Sequence, residues 1–201
     1  IQAGRYDGAD VRIHLVNWAA PDERTVEFRG LLGEITRSGS AFRAELRGLT
    51  EILNQPQGYA FQPRCSAVLG DRRCRFDPMT PGFFAEHTLK AESDGRVFDL
   101  VGFPEFPDRW FEHGRFEVLS GAATGLIGVV KIDRMTAGSR HIELWETITA
   151  GLAASDQVRI TAGCDKSTEA CQNKFGNFLN FRGFPHVPSE DWLSAYPLQD
   201  R

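Results

Sequence analysis

The chain has 201 residues, 41% of them hydrophobic, which is enough for one sizeable β domain or two small ones with a real core. Its 23 basic and 27 acidic side chains give a net charge of −4, and the basic residues are scattered, which argues against a nucleic-acid-binding protein. No apolar run approaches the roughly 20 residues of a membrane span, and residues 1–30 lack the order of a secretory signal, so a soluble protein is predicted. The sequence begins at Ile1 and not at methionine, which implies a preceding segment.

In chain order, the dominant pattern is alternation of apolar and polar residues, the period of half-buried strands. Val11, Ile13 and Leu15 form one such set, and Phe42, Ala44 and Leu46 another. Between Val26–Thr36 and Phe42–Leu46 stands RSGSA, whose serines and glycine suit a hairpin turn, so residues 11–46 predict a β-meander. A short helix is predicted over Leu49–Asn54, stopped before Pro56. Residues 76–96, rich in proline, glycine and polar side chains, read as a connection between two β regions. RVFDLVGF, RFEVLSG, GLIGVVKID, HIELWETI and QVRITAG follow, punctuated like strands of an antiparallel barrel or sandwich. Cys171–Phe181 predicts a short C-terminal helix with Cys171, Phe175, Phe178 and Leu179 on one face. The end of the chain reads as an extended tail that packs through Phe184, Trp192 and Tyr196. The expected fold is mainly β, as two β domains: 1–90 with the first cysteine pair, and 91–201 with the second pair, the helix and the tail.

The four cysteines fall in two pairs, Cys65-x8-Cys74 and Cys164-x6-Cys171, about ninety residues apart and each in a polar loop at the edge of a β region. Spacing alone leaves several readings open. Disulfides are disfavoured by the lack of a secretory signal. Structural zinc usually spaces its ligands more tightly. An iron–sulfur cubane, whose irons hold their thiolates further apart than one ion does, suits wider spacings. Unlinked thiols stay open beside all three.

The run CDKSTEACQNKFGNFLNFRGFPHVP, with its Cys-x6-Cys and Asn-Phe-x-Gly-Phe-Pro-His order, resembles the C-terminal signature of the phage and gene-transfer-agent baseplate (tail-tip) hub family. CSAVLGDRRC resembles that family's first cysteine pair, and the order of the two pairs is similar to that of lambda-like tail-tip proteins with a C-terminal iron–sulfur domain. The stretch between the pairs is much longer here than in the lambda-like proteins. The resemblance covers most of residues 1–190 and implies that the chain lacks the first part of a full-length hub.

What the resemblance implies is a [4Fe–4S] cluster, with zinc as the alternative, held by Cys65, Cys74, Cys164 and Cys171 and tying the two halves of the chain together. Arg72, Arg73 and Lys166 would offset its negative charge, while Lys166 and Lys174 read equally well as solvated surface residues. Phe175, Phe178 and Phe181 would cover it, and His186 would be a hydrogen-bonded structural residue and not a ligand. The protein would be a structural virion component: a homotrimeric hub connecting the tail tube, through a distal tail protein, to a tip or megatron-like fibre protein. DNA would contact it only in transit through the channel, which suits an acidic chain.

No catalytic constellation accompanies these cysteines, and an enzyme is not expected. Pairing Cys164 with His186, or Cys65 with His87, is the residual nucleophile reading. LSGAATGLIGVV lacks the Gly-Lys-Ser/Thr ending of a phosphate loop and predicts a hairpin turn. Two other classes remain: a zinc-stabilised β binding module, and an iron–sulfur redox protein.

Overall fold

The structure, a computed structural model, describes residues 4–39, 41–54, 58, 60–91, 93–136 and 138–187. The chain divides into two units, Ile1–Tyr59 and Ala60–Arg201. This boundary lies earlier than the expected division near residue 90, so both cysteine pairs belong to the second unit. The reason is visible in residues 76–96, where Phe84–Thr88 forms a strand that pairs into the second sheet instead of a linker.

The first unit is the expected meander. Strands β1 (Asp10–Val16), β2 (Arg24–Ser38) and β3 (Ala41–Gly48) pair antiparallel in that order, and a 3-10 turn at Leu49–Asn54 ends it. The alternation does not produce the half-buried faces that were expected. Leu15, Val26, Phe42 and Leu46 are exposed, and Gly30 is the only buried residue among the described residues of this unit.

The second unit carries the core. Strands β4 (Phe84–Thr88), β5 (Val97–Val101), β6 (Arg115–Val118), β7 (Ile127–Thr136), β8 (Ser139–Leu144) and β9 (Gln157–Thr161) form one antiparallel sheet in the order β4-β9-β6-β7-β8-β5. Alternate residues face inward, as the period-2 pattern requires. Phe98 and Leu100, Phe116 and Val118, Ile142 and Leu144, and Val158 and Ile160 are buried, with Phe111 and Ala123 from the loops packed among them. Phe98 stacks on Phe116 with ring centroids 4.5 Å apart. The glycine-rich stretch at 119–126 is the turn between β6 and β7.

One irregularity decides what the core contains. Between Val130 and Ile132 the register of β7 against β8 slips, and the inward positions become Gly128, Val130 and then Asp133. A bulge of this kind re-aims every following side chain. Asp133 is therefore turned into the interior, where both it and Arg140 of β8 are fully buried. The guanidinium grips the carboxylate at two points, Nε to Oδ1 and Nη2 to Oδ2, each 2.6 Å. Arg140 also donates to the carbonyls of Phe106 and Pro107, and Asp133 accepts the Phe111 N–H at 2.8 Å. The pair thus anchors the 106–111 segment to the sheet.

Candidate metal centre

Two loops of the second unit meet at one end of the sheet. In the first, Asp71 is the organiser: its carboxylate accepts the backbone N–H groups of Val68, Arg73 and Cys74 at 2.9, 2.8 and 2.6 Å. These bonds, that from Cys74 foremost, hold the Asp71 carboxyl below the usual carboxylate range. The nearby Arg73 side chain donates to Ser66 Oγ at 2.7 Å. In the second loop, Asp165 and Ser167 form a compact turn, and Ser167 Oγ accepts the Ala170 N–H at 3.0 Å as the chain enters a π-helical turn at Ala170–Lys174.

The loops are sewn together by main-chain bonds. Cys65 N–H donates to the Lys166 carbonyl at 2.9 Å, Ser66 N–H to the Arg182 carbonyl at 3.2 Å, and Phe184 N–H to the Gln62 carbonyl at 2.9 Å. The consequence is that Cys65, Cys74, Cys164 and Cys171 all line one small cavity, with Ala67, Leu69, Lys166, Phe175, Asn177 and Asn180 completing its wall. All four are free thiols; Cys171 is buried and the others are partly so.

The electrostatics agree with this convergence. Burial pushes the Cys171 thiol up to about 11, and the neighbouring Cys164, Cys65 and Cys74 add to the shift. Burial likewise raises Cys164, while the backbone N–H of Lys166 works in the opposite direction. Among the described residues, no group of three or more histidine, cysteine, aspartate or glutamate side chains is gathered tightly enough to hold a single metal ion.

Several expectations change here. The helix over Cys171–Phe181 is reduced to the π-helical turn and a 3-10 turn at Phe178–Asn180, because Gly176 adopts φ +58° and accepts the role of a helix stop. Leu179, expected on the buried face, is 96% exposed. Of the three phenylalanines expected over the thiols, Phe175 lines the cavity and packs on Phe76 and Phe83 at 5.0 and 5.5 Å. Phe178 and Phe181 stack on each other instead. Arg72 is exposed, whereas Lys166 lines the cavity and donates to the Ala67 carbonyl.

Lys174 is not a solvated residue. It lies 4.4 Å over the Trp110 ring, donates to the Trp110 and Gly163 carbonyls, and burial lowers its pKa to about 8 against the pull of Cys164 and Asp165. His186 is exposed, and neither it nor His87 lines the thiol cavity. Trp192 and Tyr196 lie outside the described residues; Phe184 packs edge-on against Phe61 at 4.8 Å. Sequence reasoning passed over Asp71 and Asn177. An aspartate three residues before a cysteine in a Gly-Asp turn was the available signal for the first.

Residues 1–77 match the family described as baseplate hub protein, N-terminal attachment domain, and residues 109–191 match the phage conserved hypothetical protein BR0599 family. A chain of a solved structure, titled as the virion of a native gene transfer agent particle, is 57% identical, with a TM-score of 0.88 over 100% of this chain and 69% of that one. The chain belongs to the baseplate hub family of phage-like particles. As a member of the hub family it is a structural component of a phage-like tail, carried in the virion and assembled with other tail proteins. No curated protein matches the chain. Among the described residues, no helix is long and apolar enough to cross a membrane.

Proposed function

We propose that this protein is the tail-tip hub itself, a structural and non-enzymatic piece whose four cysteines hold a [4Fe–4S] cluster. The observation that carries the metal reading is the convergence of Cys65, Cys74, Cys164 and Cys171 on one cavity from loops about ninety residues apart. The residues fit the group. The donor set is purely thiol and all four cysteines line one shared space, which suits an iron–sulfur cubane. When bound, the cluster would supply a covalent cross-link and a low-potential electron site. The chain's own part is to present four sulfurs and to keep water away with Ala67, Leu69 and Phe175.

In the particle, a homotrimer of this chain would join the tail tube, by way of a distal tail protein, to tip or megatron-like fibre proteins around the channel that passes DNA. The hub family membership and the gene-transfer-agent likeness support that role.

The test is anaerobic purification with measurement of absorption near ~400 nm and of iron, sulfide and zinc, together with the mass of the assembly by light scattering. Iron and acid-labile sulfide in equal amounts, both lost in Cys65→Ser and Cys171→Ser, are expected. One zinc per chain in a colourless protein would replace this reading with the zinc-stabilised module. Electron transfer from the cluster to a soluble carrier coupled to turnover of a small substrate would point to a redox protein instead.

A further inference from the structure

Asn177 joins the two cysteine loops by hydrogen bonds. Its backbone N–H donates to the carbonyl of Cys171 at 2.9 Å. Its side-chain amide donates to the carbonyl of Cys74 at 2.7 Å and approaches the Cys74 sulfur at 3.5 Å, within range for an N–H···S hydrogen bond. One residue therefore holds a cysteine of each pair, and it lines the cavity the thiols share. The orientation of the amide is also fixed. The Cys74 carbonyl can only accept, so the N–H₂ end of the amide faces it, and Asn177 Oδ1 in turn accepts from Asn180 Nδ2 at 2.7 Å.

The donors to sulfur are unevenly distributed. The backbone N–H of Arg182 points at Cys65 Sγ at 3.4 Å. At Cys74 the donor is a side chain, the Asn177 amide. Main-chain donors survive substitution, whereas this one can be deleted without touching a ligand.

We infer that Asn177, locked by Asn180, is a positioning residue of the metal centre that clamps Cys74 to Cys171 and donates a hydrogen bond to the Cys74 sulfur. The inference rests on the cluster reading proposed above. An N–H donor to a ligating thiolate withdraws charge from the sulfur, which stabilises the reduced cluster and raises its potential. The clamp also keeps the first loop from opening, which slows loss of iron.

The experiment uses the full chain, loaded anaerobically, as wild type, Asn177→Ala and Asn180→Ala. Three readouts are taken: iron release to a chelator, the midpoint potential, and the Fe–S(Cys) stretching bands in resonance Raman spectra. Asn177→Ala should take up the same iron and sulfide, hold iron about 10- to 100-fold less tightly, titrate at a more negative potential and show shifted Fe–S(Cys) bands. Asn180→Ala, which leaves the amide in place but frees it to rotate, should move all three in the same direction by less. Wild-type potential, bands and release rate in a loaded Asn177→Ala protein would overturn the inference and leave the cluster reading standing. If Asn177→Ala fails to load, Asn180→Ala decides: a shift in the stated direction supports the clamp, and unchanged values sink it. A wild-type chain that binds no iron and sulfide at all refutes the cluster reading, and the inference falls with it.

Discussion

Replacing Asp133 by alanine should be among the most damaging single changes in the second unit. The carboxylate makes two 2.6 Å contacts to a guanidinium that is itself fully buried, and it accepts the Phe111 N–H at 2.8 Å. Without it, Arg140 keeps the carbonyls of Phe106 and Pro107 but loses its counter-charge in the interior. Breaking one side of such a pair costs about 3–5 kcal/mol, and a stranded N–H adds up to about 1–3 kcal/mol. For a protein of this size, about 2–4 °C accompanies each kcal/mol, so the unfolding midpoint of the unit should fall by roughly 6 to 20 °C or more. Circular dichroism during heating, and urea unfolding of the same variants, would measure it. The double variant Asp133→Leu with Arg140→Met removes both charges and should recover most of the loss, because an apolar replacement of a buried pair is often neutral. A single-variant loss below about 1 kcal/mol, or a double variant as unstable as the single, would refute the argument that an uncompensated charge dominates.

Two further outcomes are expected around the thiol cavity. Gly163 stands beside Cys164 with its α-carbon so close to the Glu112 carbonyl that a Cβ would lie 1.6 Å from that oxygen; Gly163→Ala should therefore displace the second cysteine loop and lower iron uptake, and uptake equal to wild type would contradict the packing. Asp71 is held ionised by three N–H donors, so its folded pKa is depressed and the loop's support is complete above the ordinary aspartate value of about 3.9 and is lost as pH falls through the lower folded one. In metal-free protein the Cys74 amide proton signal should titrate at that lowered pH, and in Asp71→Asn it should not titrate there at all.

Most of the sheet was legible from alternation, since Phe98/Leu100, Ile142/Leu144 and Val158/Ile160 repeat at the period of two that a one-sided core demands. Alternation fails where the backbone breaks its own period. Lys131, Ile132 and Asp133 read as one more inward isoleucine between solvent-facing charges, and only the slip in β7 reverses which of them is buried. Strand β4 was hidden because its five residues sit between proline- and glycine-rich stretches, and its place at the edge of the sheet depends on β9, which lies about seventy residues further on. In the first unit the pattern correctly gave the strands but not their environment, because a period of two reports which residues share a face and not whether anything covers that face. The cysteines were legible as a set through their spacing and family likeness. Asp71 and Asn177 were not: the Asp71 carboxylate acts on three backbone N–H groups of its own turn, and the Asn177 amide reaches a cysteine 103 residues away in sequence.

The placement of the cysteines relative to the strands has a topological consequence. Every strand from β4 to β9 lies between Cys74 and Cys164, so a bond between the two loops turns the whole six-stranded sheet into a closed ring of about ninety residues. In the chain-entropy view, closing a ring of about that size removes on the order of 4–5 kcal/mol of freedom from the unfolded chain. Pulling on the ends of the unit would then load the knot of loops at Cys65–Lys166 and Ser66–Arg182 first, and the sheet would bear no tension until that knot gave way.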